Sequence, residues 1–437
     1  MFVRLKKIGD GIWTHKKKTM FAGVVLYWAG DWAMKARRDS MIRTLYAKEA
    51  IVFGEQPISA EGRPRRITVL GNTSANERHV WDAFTKNALP LFHLAGMQVN
   101  VIKTESEEEL AQLASVLDAT EADGIFVVGG DGTMQRTLTA VYKDRQYAPL
   151  PMGFAPGGYD NLALKSLVPT VFGEEGDVRR WCESAMAVIE DTRREVSVIQ
   201  STLTIDENSP QIVEYGISPV YAGWMGHIEE RRRKLWYWGR LKRRFAYFWE
   251  MVKRSPQPLD ISLQYEEFCA GCAACRHTVI SKPPWRWWHV LTGTPKNVNK
   301  GKQKDYSKIV NEGCGRKHST TMAAVELNVY PEQMDDSCRL HLSAVSGLGR
   351  MGVMREGWKR CATGDVAESP SQGFYDTILT ANSFSMHFNS IPAFLSRVYL
   401  AGDSKEAKDG STLSVSTTLK KAQLFLPKSL RVNIDEL

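Results

Sequence analysis

The sequence predicts an α/β domain built on a parallel sheet, followed by a β-sandwich-like domain. Three observations lead there. Between about residues 62 and 170, short β-branched runs alternate with helical patterns, and strands separated by helices imply a parallel sheet with helices on its faces. Beyond about residue 195 come strand-prone runs at Val196–Ile205, Ala323–Val329, Tyr375–Ser383 and Leu413–Thr418. Polar turns separate them without regular helices, as in a sandwich. At 437 residues the chain is long for one domain and comfortable for two, enough to build a core without disulfide or metal support.

The α/β elements follow in order. Ile67-Thr68-Val69-Leu70 is a β-branched run that stops at Gly71-Asn72, and a helical pattern continues through Trp81, Phe84 and Leu89. Gln98 to Ile102 alternates like a strand, Glu105 to Leu117 is an acidic helix, and Gly124 to Val128 is a fully apolar strand. The expected domains are an N-terminal helical segment over 1–61, the α/β domain over 62–170 and the β-rich domain over 171–437. Residues 266–320, rich in Cys, Pro, Trp and Lys, break the strand pattern as an insertion.

A composition of 43% hydrophobic and 24% charged residues excludes a disordered chain and a multi-span membrane protein. The net charge of +8 is local: residues 231–244 hold eight basic residues and no acid, and residues 1–48 hold eleven basic and three acidic. Such an excess suits an anionic partner. From Thr19 to Met34 the chain is apolar except for Asp31, with Lys16-Lys17-Lys18 before and Lys35, Arg37 and Arg38 after. That is short of the roughly 20 residues a spanning helix needs. Tyr27, Trp28 and Trp32 favour the water–lipid boundary, so a helix lying in a membrane surface fits better than a span. A surface helix packed on the body is the alternative. No cleavage site of the secretory kind follows it.

The stretch Arg231–Arg244 interleaves cations with Trp236, Tyr237 and Trp238. It reads either as a surface resting on an anionic bilayer or as an amphipathic helix with its rings in the core. No RNA-binding motif accompanies it, and no nucleic-acid partner is expected.

The chemistry concentrates at Ile125-Phe126-Val127-Val128-Gly129-Gly130-Asp131-Gly132-Thr133, followed by a helix whose apolar face is Met134, Leu138 and Val141. A strand feeding glycines and then a helix start turns backbone N–H groups and the positive end of a helix dipole toward an anion. Glycine lets phosphate oxygens approach the backbone. An acid among those donors calls for a divalent cation between it and the phosphate, so Asp131 reads as metal-facing or proton-handling. A tight turn without ligand is the plain alternative.

Val128 to Thr133 resembles the signature of the diacylglycerol-kinase catalytic domain, which is shared with sphingosine and ceramide kinases and more distantly with NAD kinases. Pro151 to Leu162 resembles that family's PLGTGND loop, with Pro156, Gly158 and Asn161 matching, and favours lipid kinases over NAD kinases. Asn72 falls where the family has the Asn of its NPxSG turn. Within the family the chain looks most like the acylglycerol kinases of mitochondria, on the Trp-Ala-Gly-Asp-Trp run at 28–32, Glu49-Ala50, Lys86-Asn87-Ala88, Val101 to Thr104 and Tyr237 to Lys242.

The resemblance implies a Rossmann-like nucleotide domain and a β-sandwich-like lipid-kinase domain. It also implies ATP and Mg²⁺ as cosubstrates, with Asn72, Gly129, Gly130, Asp131, Gly132, Thr133, Gly158 and Asn161 at the nucleotide. Mono- or diacylglycerol is the implied acceptor, and lysophosphatidic or phosphatidic acid the product. A second catalytic acid, taken from a DGE-like turn, matches Asp403, and either Asp131 or Asp403 would polarise the lipid hydroxyl. The location implied is the mitochondrial inner membrane, facing the intermembrane space. Acylglycerol kinases are also associated with the carrier translocase there, so a weakly active or non-catalytic scaffold is the competing function. Three positions depart from the family: Thr73–Asn76 lacks its Pro and Gly, Arg136 stands where Glu is common, and Tyr159 replaces a small Thr.

Seven cysteines, an odd number, do not read as a disulfide framework. Cys269, Cys272 and Cys275 with His277, then Cys314 and His318, have spacings that can hold a tetrahedral Zn²⁺. The Cys269, Cys272, Cys275 and Cys314 thiols are the expected ligands, with disulfides or unligated thiols as alternatives.

Overall fold

A computed structural model of the chain describes residues 16–57, 62–73, 79–118, 120–144, 150–158, 160–173, 177–206, 209–275, 306, 308–333, 337–344, 349–363, 374–400 and 402–432. Strands β1 (Arg66–Asn72), β2 (Gln98–Thr104), β3 (Gly124–Gly129) and β4 (Met152–Pro156) pair in parallel in the order β4-β3-β1-β2, with Val69 between Phe126 and Val101. The α-helices among the described residues are α1 (Lys16–Gly54), α2 (His79–Asn87), α3 (Leu89–Leu94), α4 (Glu107–Val116), α5 (Asp131–Asp144), α6 (Leu162–Leu167), α7 (Pro169–Phe172), α8 (Val178–Ile189), α9 (Trp224–Arg232), α10 (Lys242–Lys253) and α11 (Arg350–Thr363).

The apolar runs in β1 and β3 are continuous because both faces of this sheet are covered. On one face Leu70, Ile125 and Val127 pack with Leu110 and Ala114 of α4 and with Leu138 and Val141 of α5. On the other, Val69, Phe126 and Val128 pack with Phe84 of α2, Met186 and Val188 of α8, and Ile42, Tyr46 and Ala50 of α1.

Helix α1 therefore has two parts. Ile42, Tyr46 and Ala50, spaced by one turn, are buried on the body, and the Tyr46 hydroxyl donates to Glu183 Oε1 at 2.6 Å. Burial pushes the Glu183 carboxyl above its ordinary range. Met20, Phe21, Leu26, Tyr27, Trp28, Trp32 and Met34 all stand exposed. The packed-helix reading thus holds for the second half of α1, and the first half leaves its apolar side chains exposed. No helix among the described residues is long and apolar enough to cross a membrane.

The remaining strands are β5 (Arg193–Thr204), β6 (Ile212–Gly216), β7 (Val220–Gly223), β8 (Leu259–Glu267), β9 (Lys317–Glu332), β10 (Ser337–Ala344), β11 (Thr377–Ser390), β12 (Arg397–Leu400), β13 (Asp403–Glu406) and β14 (Thr412–Phe425). They are antiparallel among themselves. β9 pairs with β8 along its first half and with β10 and β7 along its second, and β11 likewise passes from β10 to β8. These exchanges wrap the strands around one cluster that includes Leu263, Val325, Leu340, Phe384 and Leu413. The α/β-plus-β class is the observed one.

Two features differ from expectation. The halves share a continuous sheet, because β14 pairs with β11 near Ser414 and beside β4 at Leu424. The β-rich half also contains regular helices. Eleven of the twelve α8 residues are buried, Arg179, Arg180 and Glu183 among them, and α8 packs on the parallel sheet although it lies beyond residue 171. Helix α11 carries Arg360, 3% exposed, whose Nη1 and Nη2 donate to Glu326 Oε1 and Oε2 at 3.0 Å each, while its Nε donates to Glu356 Oε1 at 3.0 Å.

The basic stretch is corrected in part. Arg232 pairs with Asp160 and, at 3.0 Å, with Glu229, while Arg243 reaches Glu229 at 2.8 Å. These two cations point inward, where buried carboxylates take them. The rings of Tyr237, Trp238, Phe248 and Trp249 stand exposed, as do Lys234, Leu241 and Arg244.

Candidate active site

The glycine loop joins β3 to α5 at the carboxyl end of the parallel strands, the edge where open α/β sheets bind ligands. Met134 N–H donates to the Gly130 carbonyl at 2.9 Å, which starts the helix. The first turn of α5 leaves N–H groups without intrahelical partners, and Met134, Leu138 and Val141 are buried beneath it.

The glycines answer first to packing between loops. A Cβ on Gly130 would lie 2.7 Å from Gly158 Cα. One on Gly158 would lie 2.8 Å from Gly130 Cα and 2.9 Å from Asn161 Oδ1. The two phosphate-type loops touch backbone to backbone, which only glycine permits. Gly129 is constrained by Thr133, whose Cβ would be 2.5 Å away, whereas Gly132 has room.

Asn161 holds the second loop in shape. It sits in the left-handed region at φ 52°, which Asn tolerates better than most residues. Its Oδ1 accepts from Gly158 N–H at 2.7 Å, and its Nδ2 donates to Gly158 O at 2.9 Å. Asp131 locks this loop to the first: Oδ2 accepts from Leu162 N–H at 2.9 Å and Oδ1 from Ala163 N–H at 3.1 Å.

Asn72 and Thr133 meet at Glu107, which the sequence alone did not single out. Glu107 Oε1 accepts from Thr133 Oγ1 at 3.1 Å and from Asn72 Nδ2 at 3.5 Å. Its sequence signature was that of an acid in a helix's first turn after the Ser106 cap, an ordinary pattern that concealed the contact.

Asp403 is brought to the same edge by the β12–β13 turn. Gly402, at φ +127°, lies so close that a Cβ would be 2.8 Å from Asp131 C. Asp403 Oδ2 accepts from Lys405 Nζ at 2.9 Å and from Arg136 Nη2 at 3.3 Å. Burial opposes the charge, but Lys405 and Arg136 outweigh it and hold the carboxyl below its ordinary range. Arg136, which departs from the family residue, also pairs with Glu107 at 3.1 Å and with Glu108. It thereby ties the α/β half to the β-rich half. Ser74 to Asn76 and Tyr159 lie outside the described residues.

Replacing Arg136 by Ala is expected to cost about 1 kcal/mol or less, since the site is partly solvated, and to change the acid limb of stability. With a folded pKa below the unfolded value, Asp403 contributes stability that is complete above pH about 4 and lost as pH falls through the folded value. Unfolding midpoints recorded from pH 5 downward should show a smaller acid-side loss in the variant than in the wild type.

The donor set suits a phosphate chain with a divalent cation: helix N–H groups, an amide and a hydroxyl stand beside the carboxylates of Asp131 and Glu107. The Cys269, Cys272, Cys275 and Cys314 thiols gather elsewhere, at the outer ends of β8 and β9. His318 is not with them and stacks on Tyr265, and His277 lies outside the described residues.

Residues 66–201 match the family model of the diacylglycerol kinase catalytic domain. The chain is 44% identical over 436 residues to the uncharacterized protein F52C9.3 of Caenorhabditis elegans, covering 99% of each. It is 31% identical over 255 residues to the mitochondrial acylglycerol kinases of mouse and human, covering 57% of this chain and 58% of those. Thus the match spans less than two thirds of the acylglycerol kinases' length. Sphingosine kinase 2 of Arabidopsis thaliana is 29% identical over 119 residues, covering 26% of this chain and 25% of that one. The chain thus carries, at residues 66–201, a catalytic domain of the diacylglycerol-kinase family, and the kinases it resembles there are lipid kinases.

Proposed function

We propose that the chain transfers the γ-phosphate of ATP to the hydroxyl of mono- or diacylglycerol, giving lysophosphatidic or phosphatidic acid. The observation that carries this reading is the convergence of the Gly129–Thr133 loop, the Gly158–Asn161 loop and the Asp403 turn at one edge of the sheet. Asn72, the glycine loop, Thr133 and Gly158 would hold the nucleotide, and Asp131 with Glu107 would hold Mg²⁺. The cation would neutralise charge on the transferring phosphoryl group. Asp403, held below the ordinary carboxylate range by its two cations, is a weak proton acceptor. It is the positioning acid, and the role of polarising the lipid hydroxyl falls to Asp131.

The names of the acylglycerol-kinase relatives favour acylglycerol as acceptor and the mitochondrion as location, with the inner membrane's intermembrane-space side as the finer assignment. The scaffold reading has no observation in its favour. Purified protein given labelled ATP, Mg²⁺ and mixed acceptors tests the proposal. Label is expected in monoacyl- and diacylglycerol products; label only in sphingosine or in NAD would overturn the acceptor assignment.

The exposed rings of α1 support a membrane-surface contact, since Trp and Tyr favour the interface. Trp28→Ser with Trp32→Ser is expected to weaken binding to anionic vesicles by roughly tenfold or more, measured by co-sedimentation. Unchanged binding would remove this helix from the contact.

A further inference from the structure

The four thiols at the outer ends of β8 and β9 form a compact group. These strands pair antiparallel up to Glu266 opposite Lys317, and the insertion leaves and returns here. Cys269, Cys272 and Cys275 follow β8 directly, and Cys314 precedes β9. At about 3.3 Å per residue, Lys317 is roughly 30 Å along β9 from Glu326, where β7 pairs.

Their geometry is that of a coordination shell. Cys275 Sγ lies 3.7 Å from both Cys269 Sγ and Cys272 Sγ, and all four sulfur atoms fall within 4.8 Å of one another. A tetrahedral centre with metal–sulfur bonds near 2.3 Å requires sulfur–sulfur edges of about 3.8 Å. A disulfide would bring one pair to about 2.05 Å.

The chain around them is built to hold this arrangement. Gly271 turns at φ +132°, and a Cβ there would strike the Tyr306 ring at 2.4 Å. Gly315, directly after Cys314, turns at φ +82°. Ala273 N–H donates to Ile309 O at 2.9 Å, and Glu267 N–H to Arg316 O at 3.3 Å, joining the outgoing and returning strands. Glycine supplies these positive-φ turns at low cost, and together they aim four side chains at one point.

We infer that Cys269, Cys272, Cys275 and Cys314 bind one Zn²⁺ as a closed structural site that staples the neck of the insertion. Four soft thiolates select zinc over the hard cation used at the phosphates. With all four positions filled by protein, no place is left for water or substrate, so the ion is structural. Four thiols lose their protons as it binds, and the ion closes the loop between adjacent strands, where metal binding becomes folding free energy.

Metal analysis of the full chain, purified reduced and without chelator, tests this. About one zinc per chain is expected. Exchange with Co²⁺ should give the visible absorption of a tetrahedral tetrathiolate. Cys272→Ser and Cys314→Ser should each lose the zinc. If either variant fails to fold, titrating wild-type thiols with an organomercurial should release one zinc as four thiols react. Zinc far below one per chain, iron in its place, zinc retained by both folded variants, or a disulfide among the four found by mass spectrometry would each overturn the site. Phosphoryl transfer is assayed separately, so a failed kinase reading leaves this result standing.

Discussion

Gly158→Ala should lower phosphoryl transfer by about 100-fold or more while leaving the protein folded. The added methyl group would lie 2.8 Å from Gly130 Cα, 2.9 Å from Asn161 Oδ1 and 3.3 Å from Asp131 N. Two of these neighbours are backbone, so no side-chain rotation relieves the contact and the loops must part. Overpacking of this kind costs about 1–3 kcal/mol, which a core of this extent tolerates. Displacement by about 1 Å at a transfer site costs on the order of 100-fold in rate, and here the Asp131 bonds to Leu162 and Ala163 are strained as well. Gly132→Ala is the internal control, since its Cβ would approach nothing nearer than Gly402 O at 3.7 Å. Comparable losses at both positions would mean that access of phosphate to the loop, and not contact between loops, sets the requirement for glycine.

The largest effect on stability is expected at Arg360. Its guanidinium makes a two-pronged contact with Glu326 and a third bond to Glu356, with all three side chains at most 4% exposed. Burial works against the charge, yet Glu326 and its neighbours hold the guanidinium pKa well above its ordinary value. Arg360→Met leaves two carboxylates buried without their shared cation, and breaking such a pair costs about 3–5 kcal/mol. Denaturant midpoints should fall accordingly. The double variant Arg360→Met, Glu326→Leu should recover part of the loss, because it leaves fewer unpaired charges inside.

The strands of the α/β half were legible because burial on both faces leaves unbroken β-branched runs, as at Ile67–Leu70 and Ile125–Val128. The glycine loop was legible because its residue types are demanding. The acid at Glu107 was not: one carboxylate in a helix's first turn looks like any other, and only the fold puts it beside Asn72 and Thr133. The clasp at Arg136 was concealed for a related reason, since its partner Asp403 is 267 residues away and joins it through the long return of the chain. Helix α8 did carry a helical signal, an apolar stripe at Val178, Trp181, Cys182, Ala185 and Ile189, but it falls at the join between the two expected domains. The basic stretch misled in the opposite sense, as the carboxylates that draw Arg232 and Arg243 inward come partly from Asp160, far off in sequence.

The central claim is that phosphoryl transfer occurs at the Gly129–Thr133 loop through Asp131. It is tested most directly by the rate of label transfer from ATP to acylglycerol in the wild type beside Asp131→Asn. The Asn side chain still accepts one of the two α6 N–H bonds, so folding should fall by only about 1 kcal/mol. The expected result is label in lipid from the wild type and a rate lower by about 10²–10⁴-fold in the variant. Equal lipid labelling by both proteins would contradict it.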